Sequence, residues 1–272
     1  MKMKKTCLVL AILLAALLCL PAALAEQSGV WGELSWELTD NGVLTISGAG
    51  PMEDFKWNSA DAWFPYKRDI KRIEIGSEVT SIGAYAFESC GSLNRIFLPD
   101  GIRRIGLRAF SACFFLEYVS IPEGVEMIDQ EAFAGCNFFG ITIPDSVTAI
   151  GKKAFYNCCR MNTLSLGNSV AQIGEGAFWG CYGLTEVRLP ESVTSIGSTA
   201  FYGCSGMKFI TIPSSITSFG DEVFTSCNSL TDVYFGGTAE EWLAIAPAYS
   251  YIPRCVIHTE SSGPEDAQSF SY

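Results

Sequence analysis

The sequence predicts an α/β solenoid, a right-handed stack of coils with one parallel strand in each coil of 22 or 23 residues. Three observations predict it. The first is repetition: Phe87, Phe110, Phe133, Phe155, Phe178, Phe201 and Phe224 recur at spacings of 23, 23, 22, 23, 23 and 23. The second is context, because "IGAYAFESC" (82–90) returns as "IGLRAFSAC", "IDQEAFAGC", "IGKKAFYNC", "IGEGAFWGC", "IGSTAFYGC" and "FGDEVFTSC". The third is a change of period inside each unit, from helical spacing around the phenylalanine to strand alternation in segments such as "LNRIFLP" (93–99). A unit of this size cannot bury its own apolar face, so stacked units must share one core column.

The chain opens with Lys2, Lys4 and Lys5, an apolar run from Cys7 to Leu20, and "PAALA" ending in Ala23-x-Ala25. Residues 1–25 are therefore expected to be a secretory signal peptide. A retained membrane anchor needs about 20 apolar residues, and Leu18 stands where a lipid-attachment box before Cys19 wants a small residue. Cleavage after Ala25 leaves 247 residues with 15 basic and 29 acidic side chains, a net charge of −14. Such a chain repels phosphate backbones and anionic lipid heads, so no nucleic acid partner and no membrane insertion of the mature protein are expected.

Residues 26–69 are expected to cap the stack. "DNG" (40–42) between Trp36/Leu38 and Leu44/Ile46 is a hairpin-turn signal, and the hairpin with "AWFPY" (62–66) can cover the apolar end of the first coil. The solenoid is read over 70–238, with "IKRIEI" (70–75) as a leading strand before seven full units. In the first unit Ile82, Ala86, Phe87 and Cys90 share one side of a short helix or helical turn. Ile96 and Leu98 then alternate with Arg95 and Phe97, and Pro99 ends the strand because it has no N–H to donate. Val79 begins the return path. The single 22-residue spacing comes from "FGITIP" (139–144), one residue short, and Gly167 replaces the strand-ending proline in the fourth unit. "TAEEWLAI" (238–245) predicts a short helix starting at Thr238, with Trp242 turned to the last coil, within a cap over 239–258. The polar tail at 259–272 is expected to be disordered.

Seven cysteines, Cys90, Cys113, Cys136, Cys158, Cys181, Cys204 and Cys227, form one column in phase with the repeat. Zinc sites use closely spaced cysteine pairs with a second pair or histidines, and Cys158-Cys159 is the one close pair here. Parallel Cβ vectors in a stacked ladder resist the disulfide dihedral, whereas a buried free thiol behaves as a small apolar side chain. The column reads as architecture. Cys159 and Cys255 lie outside it and are the candidates for a reactive or paired thiol.

Together these units resemble the BspA-like bacterial leucine-rich repeats, the Treponema-pallidum-like type, whose pattern runs as a valine or isoleucine, "IGxxAFxxC", then "LxxIxLP". The match runs from 70 to 245, and "LSWELTDNGVLTISGAG" (34–50) and "VYFGGTAEEWLAI" (233–245) are similar to the family's N-terminal hairpin and terminal cap. Val223 departs from the pattern, standing where other units carry alanine. The resemblance implies a leucine-rich-repeat array on a secreted or surface-associated, non-catalytic protein that binds a protein or a glycan.

Catalytic signals are sparse. His258 is the only histidine and lies in the closing segment, and the sequence has no G-x-S-x-G, H-E-x-x-H or P-loop, so no catalytic, cofactor-binding or metal-binding residue is assigned. A polysaccharide-acting enzyme on a parallel β-helix would have coils of this length, but extended throughout. Attention passes to the surface. Outward strand positions run Arg72, Arg95, Tyr118, Thr163, Glu186, Phe209 and Asp232 in one column and Glu74, Phe97, Ser120, Thr142, Ser165, Arg188, Thr211 and Tyr234 in the next. On the expected concave surface the candidate binding residues are Arg95, Phe97, Tyr118, Thr163, Ser165, Glu186, Arg188, Phe209 and Tyr234, with Phe97/Tyr118 and Phe209/Tyr234 as exposed aromatic pairs. An alternative stripe is Tyr156, Trp179 and Tyr202, for which packing at the turn is an equal reading. The rival to a binding or adhesion protein is a structural spacer ectodomain; clustered exposed aromatics favour binding, a uniformly polar surface the spacer. Neither "LPDGI" (98–102) nor "LPESV" (189–193) completes a sortase signal, so release, or retention through a partner, is expected.

Overall fold

Three hydrogen-bonded sides close each coil in the computed structural model, which describes residues 27–245 and 255–260. The expected leader, part of the C-terminal cap and nearly all of the polar tail lie outside these described residues. The first side is the predicted strand, found at Arg95–Phe97, Tyr118–Ser120, Gly140–Thr142, Thr163–Ser165, Glu186–Arg188, Phe209–Ile212 and Asp232–Phe235, parallel wherever neighbours pair. The fold is a β-solenoid of coils with this parallel strand.

A second side is also a strand, where the sequence reading placed only a return path. Val79–Ile82, Arg104–Ile105, Met127–Ile128, Ala149–Ile150, Gln172–Ile173, Ser195–Ile196 and Ser218–Phe219 join Gly50–Pro51 in a continuous eight-stranded parallel sheet. Most of these strands have two residues, too few to show alternation in a sequence. Glycine follows the strand in every unit except the third, where Asp129 follows Ile128, and it permits the close stacking: a Cβ on Gly106 would lie 2.8 Å from the Ala84 nitrogen, and one on Gly197 2.5 Å from that of Glu175.

The third side corrects the helical expectation. Each "IGxxAFxxC" segment holds two left-handed residues four apart, such as Tyr85 and Ser89 (φ 59° and 61°), Arg108 and Ala112 (53° and 59°), and Gly176 and Gly180 (60° and 72°). A left-handed residue interrupts a right-handed helix, so the segment becomes a chain of turns. Within a coil the Glu88 amide donates to the Tyr85 carbonyl at 3.0 Å and the Cys90 amide to that of Phe87 at 3.2 Å. Alternate amides point to the next coil instead, so Phe87, Phe110, Phe133 and Phe155 donate to Ala109, Ala132, Ala154 and Ala177, each at 2.8 Å. Ala86, Phe87 and Cys90 are buried together, as the spacing predicts, but through turns.

Inside, the phenylalanine rings stack with centroids 5.2–5.6 Å apart from Phe87 to Phe201 and 6.2 Å at the last step to Phe224. Tryptophans close both ends. Trp63 stacks on Phe87 at 6.0 Å and its Nε1 donates to the Ala86 carbonyl at 2.8 Å, while Trp242 is buried against Phe219 and Phe235. Gln27–Trp31, Leu34–Leu38 and Val43–Ser47 form an antiparallel meander whose last strand pairs parallel with Arg72–Ile75, so the cap continues the first side. The C-terminal helix Ala239–Ile245 begins with a reciprocal cap: the Thr238 amide donates to Glu241 Oε2 at 2.8 Å, and the Glu241 amide to Thr238 Oγ1 at 3.2 Å. In the 22-residue coil, Phe138 occupies the place held by Leu116 and Met161 in the flanking coils and fills the lost volume, edge-on to Phe133 and Phe155 at 6.1 and 6.2 Å.

The cysteine column is hydrogen-bonded as well as packed. From Cys113 onward each thiol donates to the phenylalanine carbonyl one coil back, Cys113 to Phe87 at 3.1 Å, Cys158 to Phe133 at 3.3 Å and Cys227 to Phe201 at 3.1 Å. Cys136, Cys181 and Cys204 repeat the contact at 3.2 Å. Burial pushes all seven thiols up, Cys113 and Cys227 to about 12 from an ordinary 9.0.

Between those two values the folded chain binds more protons than the unfolded chain, so stability is lost as pH rises through the unfolded thiol's value. Urea unfolding should therefore show stability flat below about pH 8 and falling above about pH 9, with each thiol contributing up to about 1.4 kcal/mol per pH unit. Cys181→Ser should make that fall shallower, and a midpoint unmoved between about pH 8 and 10.5 would contradict the buried, protonated column. A second outcome concerns backbone strain. Thr199 is β-branched at φ 57°, and Thr199→Gly should raise the thermal midpoint by relieving up to about 1 kcal/mol.

Candidate binding face

Outward positions of the first side assemble into two aromatic clusters separated by a groove. In the first, Phe97 faces Ser120 across the ladder and Tyr118 faces Arg95, so the two rings meet diagonally at 5.3 Å. Both are well exposed, at 61% and 50%. In the second cluster the Arg188 guanidinium lies over the Phe209 ring at 5.1 Å, Glu186 reaches Arg188 at 3.8 Å, and Phe209 meets Tyr234 edge-on at 6.1 Å. Phe209 is thus half-buried beneath an arginine, a correction to its reading as an exposed ring.

The fold adds residues that sequence reasoning missed. Val256–His258 pairs parallel with Asp232–Phe235, which brings His258 onto Tyr234 with ring centroids 4.4 Å apart and its Nε2 to 2.8 Å from Asp232 Oδ1. Hydrogen bonds from His258 and Thr231 hold the Asp232 carboxyl below its ordinary value. Phe114, Phe115 and Phe139 are also exposed. A signal for the first two was available: "FF" after Cys113 stands where other units carry Gly91-Ser92, Ser205-Gly206 or Asn228-Ser229. Arg160 stacks over Phe139 at 4.0 Å and reaches Glu117 at 3.5 Å.

Between the clusters the ladder is interrupted twice, before Gly140–Thr142 and before Glu186–Arg188. Tyr118–Ser120 pairs with Arg95–Phe97 and Gly140–Thr142 with Thr163–Ser165, but no strand pairing joins these two couples. The surface sinks there into a groove of about 580 Å³, with Tyr118, Thr163 and Ser165 on its walls. Arg95, Thr163, Ser165, Glu186 and Arg188 are all exposed, so the candidate residues share one face, although not one continuous sheet.

On the turn side, Tyr156 and Trp179 lie 6.0 Å apart and Trp179 and Tyr202 4.3 Å apart, each half-buried. Tyr156 alone of the three lines a hollow of about 530 Å³ that includes Arg108, Glu131 and Cys159. Its one guanidinium is already held, since Arg108 reaches Glu88 at 3.2 Å and Glu131 at 3.3 Å. Burial raises the Glu88 carboxyl, with Arg108 opposing. Neither thiol outside the column is activated. Cys255 is buried and pushed up to about 11, first by burial and then by the Asp232 charge; exposed Cys159 is also raised, and its thiol donates to the Asn157 carbonyl at 3.3 Å. Among the described residues no three metal-ligating side chains converge, and no helix is long and apolar enough to cross a membrane.

Comparison with known proteins bears on the same repeats. Six copies of the BspA type leucine rich repeat region match residues 60–161 and 148–245. Among solved structures, the T. pallidum leucine rich repeat protein (TpLRR) is 28% identical with a TM-score of 0.57, covering 75% of this chain and 91% of its own. A leucine-rich repeat protein from Bacteroides ovatus ATCC 8483 is 25% identical with a TM-score of 0.56, covering 86% of this chain and 67% of its own. One from Eubacterium ventriosum ATCC 27560, at 23% identity and a TM-score of 0.56 over 78% of this chain and 73% of its own, shares the fold. No curated protein matches the chain. With its phenylalanine and cysteine columns in phase and the family pattern filling more than half of its length, the chain belongs to the BspA type leucine-rich repeat family.

Proposed function

We propose that this is a secreted, non-catalytic binding or adhesion protein that recognises a protein or a glycan through the strand face. The observation that carries the reading is clustering: Phe97 with Tyr118, and Tyr234 with His258 and Phe209, place large side chains in mutual contact on one outward face. Interface energy concentrates in a few such desolvatable groups, whereas a spacer needs none of them. The opposite sheet behaves as scaffold, because Thr148, Thr194 and Thr217, each just before one of its strands, hydrogen-bond to the backbone of the preceding coil. The family's fold is one typical of protein-binding, non-catalytic surface proteins. The leader pattern at 1–25 supports export. A non-catalytic role is supported by thiols held protonated and by a single histidine engaged with Asp232 and Tyr234.

The test applies labelled mature protein to a glycan array and to immobilised cell-surface extracts. Tyr118→Ala/Tyr234→Ala should weaken binding by at least about tenfold while moving the thermal midpoint by no more than about 2–4 °C, because outward strand positions contribute little packing. Tyr156→Ala/Trp179→Ala/Tyr202→Ala is the comparison variant. Loss of binding in this triple variant alone would move the site to the turn side, and no binding by the unaltered protein would favour the spacer.

A further inference from the structure

Several hydroxyl groups in this solenoid are bonded to the backbone of the preceding coil. Ser146, Ser192 and Ser215 donate to the Val125, Val170 and Val193 carbonyls at 2.7–2.8 Å, and Thr194, Thr217 and Thr231 to those of Ala171, Thr194 and Lys208 at 3.1–3.2 Å. The groove in the strand face gathers hydroxyls that are not so bonded. Ser120, Thr142, Thr163 and Ser165 all line it, and among the described residues none has a protein partner for its hydroxyl. Four adjacent hydroxyls, each able to donate and accept, are therefore left to whatever enters.

The rest of the groove narrows the chemistry. Tyr118 forms an aromatic wall, steadied by Phe97 at 5.3 Å. Glu123 is the only charged side chain lining it, so the groove offers no cation to an anionic ligand. Gly140 opens the centre: a Cβ there would come within 2.1 Å of Thr163 Oγ1, so any larger residue displaces that hydroxyl or fills the space. The same coil is the one shortened to 22 residues, and one of the ladder breaks falls beside it. A repeat deletion, a glycine and a lost strand pairing thus coincide at one place.

We propose that this groove is a subsite for one ring of a neutral saccharide, an inference that rests on the binding function proposed above. The apolar C–H face of a pyranose would stack on Tyr118, and its hydroxyls would bond to Thr142, Thr163, Ser165 and Ser120. A volume of about 580 Å³ is within the range of small-ligand clefts. Sulfated, phosphorylated or carboxylated sugars meet Glu123 with no compensating cation and are disfavoured. An apolar side-chain anchor from a protein partner would leave the four hydroxyls unbonded, which disfavours it for the same physical reason.

Calorimetric titration of the mature protein with maltohexaose, mannohexaose, cellohexaose and N-acetylchitohexaose, and with oligogalacturonate as the anionic probe, tests the assignment. At least one neutral probe should bind saturably and oligogalacturonate should not. Tyr118→Ala and the isosteric Thr163→Val should each reduce affinity by at least about tenfold, while Gln172→Ala on the opposite sheet leaves it unchanged. Gly140→Val should abolish binding; circular dichroism confirms folding, and Thr163→Val decides the matter if that variant is unstable. Preference for the anionic probe, binding that survives both Tyr118→Ala and Thr163→Val, or no neutral probe bound would each overturn the inference. If the saccharides fail while immobilised extracts still capture the protein through Tyr118 and Tyr234, the binding function stands and the partner is a protein. If neither binds, both readings fall.

Discussion

The carbonyl of the repeated phenylalanine accepts two hydrogen bonds, from the cysteine amide three residues on and from the cysteine thiol of the next coil. The same residue's amide donates onward to the next coil's alanine, and its ring stacks on the rings above and below. Coil spacing, turn conformation and core filling therefore meet at one residue. A buried carbonyl left with a poor partner is costly, so cysteine at this position supplies a donor that an alanine or valine of similar size would not. The magnitudes are of similar size, so the hydrogen bonds and the rest of the core decide the balance. Two left-handed residues per coil cost about 1–2 kcal/mol each when they are not glycine, and burying one phenylalanine ring returns about 1.5–3 kcal/mol before the hydrogen bonds are counted.

A stack of this kind has two open ends, and both are closed by extending its own rules. At the start, Trp63 takes the place of a phenylalanine ring and bonds to the alanine carbonyl of the first coil, while Val43–Ser47 and Gly50–Pro51 provide the first parallel strands of the two strand sides. At the far end the apolar column finishes on Trp242, presented by a helix that its own Thr238 and Glu241 cap. Neighbouring coils contact only each other, so stability in such an array accumulates by interfaces and depends on these terminal units.

Because the core conditions are met on the inner side of every coil, the outer strand positions are free to vary. The structure divides them into exposed rings, charged pairs that satisfy one another, and hydroxyls without a protein partner around Gly140. The 22-residue coil shows how little disturbance is needed to make a distinct place on a repetitive surface. Phe138 repairs the core behind the deletion, and the strand face in front of it stays open.

The period, the buried columns, the strand with its outward face and both tryptophan caps were legible in the amino-acid order alone, because in-phase repetition and two-residue alternation assign a side chain to a side regardless of what lies opposite. Other features belonged to the tertiary structure. Left-handed backbone at Tyr85, Arg108, Glu131 and Lys153 is imposed by the inter-coil hydrogen bonds, not by any preference of those residues, so helical spacing and a chain of turns looked alike. Two-residue strands such as Ser195–Ile196 carry no alternation to read and exist only through their neighbours. Diagonal contacts, the arginine over Phe209, the arrival of His258 beside Asp232 and the groove at Gly140 depend on register between segments at least a coil apart. Order along the chain determines which residues face outward, but which of them touch is decided when the coils stack.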